Sequence, residues 1–376
     1  MCTSKCGGKH MITNQKSKRE TMTNSESTKR GTILKGIGGL YEVRLESLPD
    51  GYKSQSPLNS CVLCRARGVF RHNGITPLPG DTVDVLFGEA ALGATGEDEK
   101  KKKKGGGAAV SEDSDVAITA IRERKNHLIR PPLANIDILF IVIPAAQPAP
   151  ILETADKLVS IADHNEIEPV VIITKSDLAP EYAAELCEIY RKSGFSSFAV
   201  SSVTGEGVSN VMKYILAASA GTENKAPISA FAGASGAGKS TLMNELFPQL
   251  KLVTGGLSKR IERGKHTTRE VTLYPLSELF NEDIGGYLAD TPGFSMLDFT
   301  RFDFFRADQL PFNFREFAPY LGKCRYTKCT HLKEDGCLIR QAVKDGIIQE
   351  SRYKSYLMIY DTLKQIPDWK RKGKDE

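Results

Sequence analysis

The strongest constraint on the fold is a glycine-rich segment, residues 233–240, in the second half of the chain. It matches the pattern G-x-x-x-x-G-K-[ST], follows an apolar run at 228–232 and opens a helical pattern. Such a strand, turn and helix form a phosphate-binding loop, because glycines let backbone N–H groups wrap phosphate oxygens. Lys239 is then predicted to reach the β- and γ-phosphates, and the Ser240 hydroxyl to hold Mg²⁺. We therefore expect a nucleotide-binding α/β domain.

A second segment, Thr174-Lys175-Ser176-Asp177, ends an apolar strand predicted at residues 170–174. The Asp177 carboxylate can accept hydrogen bonds from N1–H and N2–H₂ of guanine, a donor pair that adenine lacks. The Lys175 stem is expected to cover the base. Thr174 stands where Asn is commoner and should make one fewer contact. The segment therefore predicts GTP, not ATP, as the nucleotide.

The order of these two segments is reversed relative to an ordinary GTPase, in which the phosphate loop comes first. The reversal indicates a circularly permuted GTPase. Between the segments, Ser201-Ser202 follows an apolar run and is expected to touch the guanine carbonyl through its backbone. After the loop, Asp290-Thr291-Pro292-Gly293 has the form of a D-x-x-G switch. Asp290 is expected to bind Mg²⁺ through water, and the Gly293 amide to sense the γ-phosphate.

Hydrolysis needs a group that orients the attacking water. Phe294 follows the switch glycine, where small GTPases carry Gln, and cannot serve. His266 is the plausible water-orienting side chain among the motifs, and a solvent-exposed loop histidine is the alternative. Thr267 or Thr268 is expected to ligate Mg²⁺. The predicted GTP-binding residues are Thr174, Lys175, Ser176, Asp177, Ser201, Ser202, Gly233, Ala234, Ser235, Gly236, Ala237, Gly238, Lys239, Ser240, Thr241, Asp290 and Gly293.

A cluster of three cysteines and one histidine lies near the C-terminus. Cys324, Cys329, His331 and Cys337 have the spacing C-x₄-C-x-H-x₅-C. Three thiolates and one imidazole suit a tetrahedral Zn²⁺ site. Because four protein ligands leave no position for water, we expect the zinc to be structural. The alternative is four unrelated core residues.

The other cysteines point to a reducing compartment and not to a disulfide scaffold. Cys61 and Cys64 form a lone C-x-x-C pair, and two ligands are too few for tetrahedral zinc. We expect both to be strand residues. Cys187 lies in a helical pattern and is expected in the core, while Cys2 and Cys6 lie in the N-terminal tail.

The sequence predicts three folded domains behind a basic tail, residues 1–31. Short strands broken by turn residues favour a five-stranded oligonucleotide-binding (OB) barrel at 32–130, with a Lys- and Gly-rich insertion at 93–115 in a hairpin loop. Alternating strands and helices at 131–297 predict a mostly parallel sheet with helices on both faces. Residues 298–376 are expected to form a small helical zinc-binding domain.

Element bounds follow from the apolar patterns. Within the α/β region, strands are predicted at 136–143, 170–174, 197–201, 228–232, 271–276 and 286–290. Helices are predicted at 151–165, 181–193, 208–218, 239–246 and, in the C-terminal region, 351–363.

Charge and hydropathy limit the function classes. The apolar runs fall short of the roughly 18 residues that span a membrane, so a cytoplasmic protein is expected. The net charge is +5, and basic clusters occur in the tail, at Lys100–Lys104 and at residues 370–374. They fit a polyanionic partner, or else solvated charge, which we favour for the Lys100 run. The tail is expected to be disordered, with organelle targeting as the alternative.

Together these motifs resemble the ribosome small-subunit-dependent GTPase A family, RsgA or YjeQ. The resemblance covers residue 32 to the C-terminal helix and rests on the rotated motif order, the segment 264–268, the segment 290–294 and the cysteine–histidine cluster. It departs from the family at Thr174 for the commoner Asn, at Ser202 for the usual Ala, and in the insertion.

The resemblance implies a late assembly factor of the 30S ribosomal subunit that contacts 16S rRNA. It also implies GTP hydrolysis stimulated by that subunit, an OB barrel, one structural zinc, Mg²⁺ with GTP, and His266 as the switch histidine. We expect a monomer without membrane association. Two rivals remain: a nucleotide-gated RNA-binding module with little catalysis, and a P-loop ATPase or kinase, which Asp177 opposes.

Overall fold

The computed structural model describes residues 28–50, 52, 60–72, 74–88, 116–129, 131–220, 226–250, 271–291 and 305–366. The chain divides into two compact units, one with residues 1–77 and 81–123, the other with 78–80 and 124–376. Among the helices described in these ranges, none is long and apolar enough to cross a membrane. Residues 1–27 of the predicted tail, the insertion at 93–115 and the basic cluster at 370–374 lie outside the described residues.

The first unit is a closed five-stranded barrel. Its strands are β1 (Thr28–Ile37), β2 (Leu40–Leu45), β3 (Cys61–Ala66), β4 (Thr82–Phe87) and β5 (Val116–Ile121), and helix α1 (Gly68–His72) follows β3. The barrel order is β1-β2-β3-β5-β4, and β4 pairs back to β1. Only the β3–β5 pair is parallel among the described strand pairs of this barrel. The predicted OB barrel is confirmed.

Alternation of apolar residues fills the barrel interior. Ile33, Val43, Val62, Val83 and Ile118 are fully buried in one cluster. Strand β1 begins at Thr28, before the predicted start at 32, because pairing with β4 continues to Thr28 opposite Leu86. The insertion lies in the connection between the antiparallel neighbours β4 and β5, as expected for a hairpin loop.

The two C-x-x-C cysteines are strand residues, as predicted. Cys61 and Cys64 lie in β3 with no exposed surface. The Cys64 thiol donates to the Tyr41 carbonyl oxygen at 3.7 Å, and burial raises its pKa to about 12.

The second unit contains a short hairpin and a six-stranded sheet. The hairpin pairs β6 (His127–Leu128) with β7 (Leu133–Ala134). The sheet strands are β8 (Ile138–Pro144), β9 (Glu168–Thr174), β10 (Ser196–Ala199), β11 (Ile228–Gly233), β12 (Thr272–Pro275) and β13 (Tyr287–Asp290). Their order is β10-β9-β8-β11-β13-β12, and all pairs are parallel except β12–β13. The mostly parallel sheet is confirmed, with an antiparallel edge that the sequence pattern did not indicate.

Helices cover both faces of this sheet. They are α2 (Leu152–His164), α3 (Pro180–Lys192), α4 (Val208–Ala220) and α5 (Lys239–Leu246), with the short α6 (Leu276–Phe280) after β12. Phe140 and Ile172 pack in one core cluster with residues of α4 and α5. Alternate strand residues such as Ile141 and Ile173 are equally buried on the other face, where α2 and α3 contact the strands. Cys187, on α3, is buried as predicted.

The C-terminal region belongs to the same compact unit as the sheet. It contains the 3₁₀ turns Leu310–Asn313 and Arg315–Phe317 and the helices α7 (Leu338–Lys344) and α8 (Glu350–Lys364). Helix α8 matches the predicted helix at 351–363 and packs against α2. Helix α7 was not predicted, because about two turns give too little apolar periodicity.

Candidate functional site

The glycine-rich segment forms a loop between β11 and α5. Gly233 has a φ of 145°, and a Cβ there would lie 2.3 Å from the Val142 carbonyl oxygen, so only glycine fits. Gly238, directly before α5, has a φ of 91° in the left-handed region. Among the residues that the structure describes, no side chain caps the α5 N-terminus. Its first N–H groups are therefore available to an anion.

Lys239 is folded back onto this loop. Its ammonium donates to the carbonyl oxygens of Gly233 at 2.6 Å and Ala234 at 2.9 Å. Burial lowers its pKa to about 8. The amine thus sits over the loop in a partly desolvated position, where a phosphate would supply the missing negative charge.

The guanine-type segment is tied to the loop by two side chains. The buried Thr174 hydroxyl donates to the Ala237 carbonyl oxygen at 2.5 Å. The Lys175 ammonium donates to the carbonyl oxygens of Gly236, at 3.0 Å, and of Gln147. Lys175 itself has a φ of 58°, which turns the chain away from β9. Thr174 and Ala237 are 63 residues apart in the sequence. Their hydrogen bond nevertheless joins the guanine-type segment to the phosphate loop, and we call the joined edge the rim of the site.

The neighbouring loop is organised around Ser201. The Ser201 hydroxyl accepts hydrogen bonds from the N–H groups of Val203 and Thr204, at 3.3 and 3.2 Å. Ser202 is partly exposed beside it. The Ser176 N–H donates to the Val200 carbonyl oxygen at 3.2 Å, which holds the two loops together. Asp177 is exposed, and its carboxylate accepts no hydrogen bond from the residues that the structure describes.

Asp290 ends β13, beside the strand that leads into the phosphate loop. The next hydroxyl, of Thr291, donates to the Phe231 carbonyl oxygen at 3.3 Å. Ser235, Gly236 and Thr241 are exposed, and Ser240 is partly exposed. The motif segments that the structure describes thus lie at the carboxyl ends of parallel strands, the usual ligand edge of such a sheet. His266, Thr267, Thr268, Gly293 and Phe294 lie outside the described residues.

The cysteine–histidine cluster comes together as predicted. The ligand atoms of Cys324, Cys329, His331 and Cys337 all lie within 4.8 Å of one another. His331 Nδ1 is 3.7 Å from the Cys324 sulfur and 3.5 Å from that of Cys337. A tetrahedral ion with bonds of about 2.0–2.3 Å needs ligand atoms roughly 3.5 Å apart. The cluster can therefore hold a metal ion.

Models of two families match this chain. The RsgA GTPase model matches residues 121–300, and the RsgA N-terminal domain model matches residues 30–94. A protein of Ruminiclostridium cellulolyticum named "Small ribosomal subunit biogenesis GTPase RsgA" is 35% identical over 344 residues, which are 91% of this chain and 96% of that protein. The chain belongs to the RsgA GTPase family.

Further members of the family agree with this assignment. A protein of the same name from Caldanaerobacter subterraneus subsp. tengcongensis is 36% identical over 337 residues, 89% of this chain and 96% of that protein. The crystal structure of YjeQ from Thermotoga maritima has a TM-score of 0.65 and 28% identity, covering 90% of this chain and 99% of that one. YloQ, described as a circularly permuted GTPase, has a TM-score of 0.63 and 27% identity, with 92% and 97% covered.

Sequence reasoning missed the residues that support the cysteine–histidine cluster of this RsgA-family chain. The Glu334 carboxylate accepts hydrogen bonds from Thr330 N–H at 2.7 Å and Leu332 N–H at 2.9 Å. Although burial opposes it, the Thr330 hydroxyl and then the backbone N–H groups of Glu334, Thr330 and Lys333 hold the pKa of Glu334 at about 2. Tyr353 donates to the His331 carbonyl oxygen at 2.7 Å. Polar supports of this kind fix the orientation of ligand residues.

Proposed function

We propose that this protein is a GTP hydrolase that acts in late maturation of the small (30S) ribosomal subunit, and that this subunit stimulates hydrolysis. Its relatives are named for small-subunit biogenesis. One observation carries the nucleotide assignment: Thr174 and Lys175 both hydrogen-bond the phosphate loop. The base-reading segment and the phosphate-binding segment thereby share one rim, as a single guanine nucleotide requires.

Each predicted residue then has a role. Asp177 reads guanine, with the backbone at Ser201 and Ser202 beside it, and the loop at 233–241 holds the phosphates. Ser240, Asp290 and Thr267 or Thr268 hold Mg²⁺, which neutralises charge on the phosphates during transfer. Gly293 senses the γ-phosphate.

His266 is proposed as the residue that orients the attacking water. Phe294 cannot replace the usual Gln, so hydrolysis should be slow until the ribosomal subunit places the switch.

For the metal cluster we propose one structural zinc. Three thiolates and one imidazole form the donor set that Zn²⁺ prefers, and four protein ligands leave no open position for catalysis. The carbonyl oxygens of Thr330 and His331 accept hydrogen bonds from Tyr356 and Tyr353, so the ligand loop is anchored to α8.

The domain plan follows the sequence analysis. We propose an RNA-binding barrel predicted at 32–130 but beginning with β1 at Thr28, a GTPase domain at 131–297 and a zinc-binding domain at 298–376, behind a basic tail that ends before Thr28. The barrel would contact 16S rRNA, since OB barrels bind oligonucleotides. We further propose a cytoplasmic monomer.

The deciding experiment is phosphate release from excess GTP with isolated 30S, 50S and 70S particles. Stimulation by 30S subunits is expected, and a rate unchanged by them would reject the proposal. His266→Ala should lower the stimulated rate by roughly 10²-fold or more while GTP affinity holds. His72→Ala, at an exposed histidine of α1, is the matched control and should leave the rate unchanged.

A second experiment tests the nucleotide itself. Asp177→Asn should shift binding from GTP toward XTP, because the amide can donate to the extra oxygen of xanthine. Equal competition by ATP in the unmodified protein would favour the P-loop ATPase reading instead.

A nucleotide-gated RNA-binding module remains the second candidate, favoured by Phe294 in place of Gln. It predicts nucleotide-dependent binding to 30S subunits without turnover. Turnover and binding measured on the same sample separate the two functions.

A further inference from the structure

Arg352, on α8, is buried to 1% exposure between two carboxylates. Its Nη1 donates to Asp156 Oδ1 at 2.5 Å, and its Nε donates to Glu316 Oε1 at 2.8 Å. Asp156 lies on α2, 196 residues away in the chain. A buried charge is tolerated only when it is paired, so this contact fixes α8 against α2.

The groups around Arg352 and Asp156 hold the guanidinium in place. Tyr190 donates to Asp156 Oδ1 at 3.0 Å, and the Phe314 ring centroid lies 4.5 Å from the Arg352 Cζ. Burial alone would lower the pKa of Arg352, but Asp156 and Glu316 raise it above its ordinary value. The side chain is therefore held in a specific place by charge and by ring contact.

A second arginine, Arg315, forms an ion pair with the same helix. Arg315 Nε donates to Asp163 Oδ1 at 2.7 Å, and its Nη2 donates to Glu168 Oε2 at 2.9 Å. Asp163 lies two helical turns beyond Asp156, about 10 Å along α2. The C-terminal region thus holds α2 at two points and fixes both its position and its direction.

Helix α8, which carries Arg352, also contacts the metal-binding loop at Thr330 and His331. Tyr353 and Tyr356, next to Arg352 on α8, donate to the carbonyl oxygens of His331 and Thr330 at 2.7 and 2.8 Å. A change in the loop that holds the cysteine–histidine cluster therefore acts on the helix that carries Arg352.

Helix α2, which carries Asp156, is connected to the proposed nucleotide site. Residues 145–151 connect β8 to α2. In this connection the Ala145 N–H donates to the Thr174 carbonyl oxygen at 2.8 Å, and the Gln147 carbonyl oxygen accepts from the Lys175 ammonium. A Cβ on Gly236 would lie 3.5 Å from Pro148 Cδ. A shift of α2 would therefore move residues that contact both the guanine segment and the phosphate loop.

The contact between the C-terminal region and α2 combines these charged groups with buried aromatic rings such as that of Phe314. Besides its two arginine clamps, it contains the buried Ser160 Oγ on α2 and Asn313 Nδ2, which lack a hydrogen-bond partner among the described protein atoms. A buried polar group without a partner costs free energy, so these two atoms weaken the contact.

We propose that Arg352 is a positioning residue that couples the metal-binding loop to nucleotide affinity through α2. The inference rests on the proposed nucleotide site. In the clamped arrangement, α2 holds residues 145–151 against Lys175 and the phosphate loop. Release of the C-terminal region frees α2 and weakens nucleotide binding. Coupling between two sites is a free energy, and it is reciprocal, so each site changes the other by the same amount.

The test is a cycle of four proteins in which the dissociation constant of GDP is measured at saturating Mg²⁺: the unmodified chain, Cys329→Ser, Arg352→Lys and the double variant. Lys keeps the charge but cannot bridge two carboxylates with a planar fork. Cys329→Ser should weaken GDP binding about 5-fold or more in the unmodified chain, and change it less than about 2-fold beside Arg352→Lys. Equal effects in both backgrounds would overturn the coupling.

Two control variants accompany this cycle. Arg191→Lys makes the same change at an exposed ion pair with Glu188 and should leave GDP affinity and its response to Cys329→Ser unchanged. The triple change Asp156→Asn, Glu316→Gln, Arg352→Met removes all three charges, so no buried charge is left unpaired if Arg352→Lys fails to fold. It should uncouple the sites in the same way, and a full response to Cys329→Ser in it would overturn the proposal. If the unmodified chain itself binds no GDP, the proposed function fails, not the coupling.

Discussion

The Thr174 hydroxyl at the end of β9 donates a hydrogen bond of 2.5 Å to the carbonyl oxygen of Ala237 in the phosphate loop. The two residues belong to segments whose order along the chain is reversed relative to ordinary GTPases. Strands β9, β8 and β11 are neighbours in the sheet, so the loops at their carboxyl ends meet whatever the order of connection. Circular permutation therefore leaves the nucleotide site intact and changes only what is attached to it.

We expect Thr174→Val to weaken both GTP and GDP binding roughly tenfold, because it leaves the buried Ala237 carbonyl oxygen without its donor. Thr174→Ser keeps the hydroxyl and should bind within about twofold of the unmodified chain. Fluorescent-nucleotide titration measures both. If Val and Ser behave alike, the hydrogen bond does not support the site.

The sequence predicted those parts of the fold in which local pattern and chemistry agree. Helix α5 has the predicted bounds, Lys239–Leu246, because the glycine-rich loop fixes where a helix can begin. The cluster of Cys324, Cys329, His331 and Cys337 formed as expected, since its ligands lie close together in the chain.

Features that depend on distant partners were not predictable from one sequence. The antiparallel edge strand β12 is set by its pairing with β13, which no pattern within Thr272–Pro275 reveals. The contact of the Lys175 ammonium with the phosphate loop was not predicted either, and the covering of the base by the Lys175 stem stays a prediction. Arg352 resembles any helical surface arginine in the sequence, and only the fold brings it to Asp156. Such residues carry no local signal because the partner that each one contacts lies far away in the sequence.

Lys239 should make GDP binding depend on pH in a defined way. Its pKa is about 8 in this structure and 10.5 ordinarily, so the native protein holds fewer protons than the unfolded chain between these values. The cost of its buried charge is fully present below pH 8, and the stability of the nucleotide-free protein should rise as pH increases from there toward 10.5.

Phosphates favour the charged amine, so GDP binding at about pH 8.5 should take up a proton that binding at about pH 6.5 does not. Titration calorimetry in buffers of different ionisation enthalpy measures this uptake. Lys239→Arg is the control, since a guanidinium does not titrate in this range. Equal uptake in both proteins would assign the proton to another group.

Gly233→Ala should destabilise the protein by about 1–3 kcal/mol and abolish tight GDP binding. The added Cβ would lie 2.3 Å from the Val142 carbonyl oxygen, on a backbone strand that cannot move aside, at a φ of 145°. Gly205→Ala is the matched control, because it has a φ of 77° and open space around the new Cβ. It should cost about 1 kcal/mol and leave binding intact. Urea unfolding and GDP titration distinguish the two, and equal losses would refute the steric argument.

Cys329→Ser should reduce bound zinc from about one ion per chain to near zero and lower the melting temperature, because a closed site with three remaining ligands holds the metal poorly. The anchored loop at Thr330 and His331 then loses its central support, so proteolysis should begin within residues 323–337. Cys187→Ala removes a buried cysteine on α3 and is the control. It should lower stability through a small cavity while zinc content, measured by mass spectrometry, stays unchanged. Purified unmodified protein without zinc, or zinc retained in Cys329→Ser, would show that the cluster is not a zinc site of this kind.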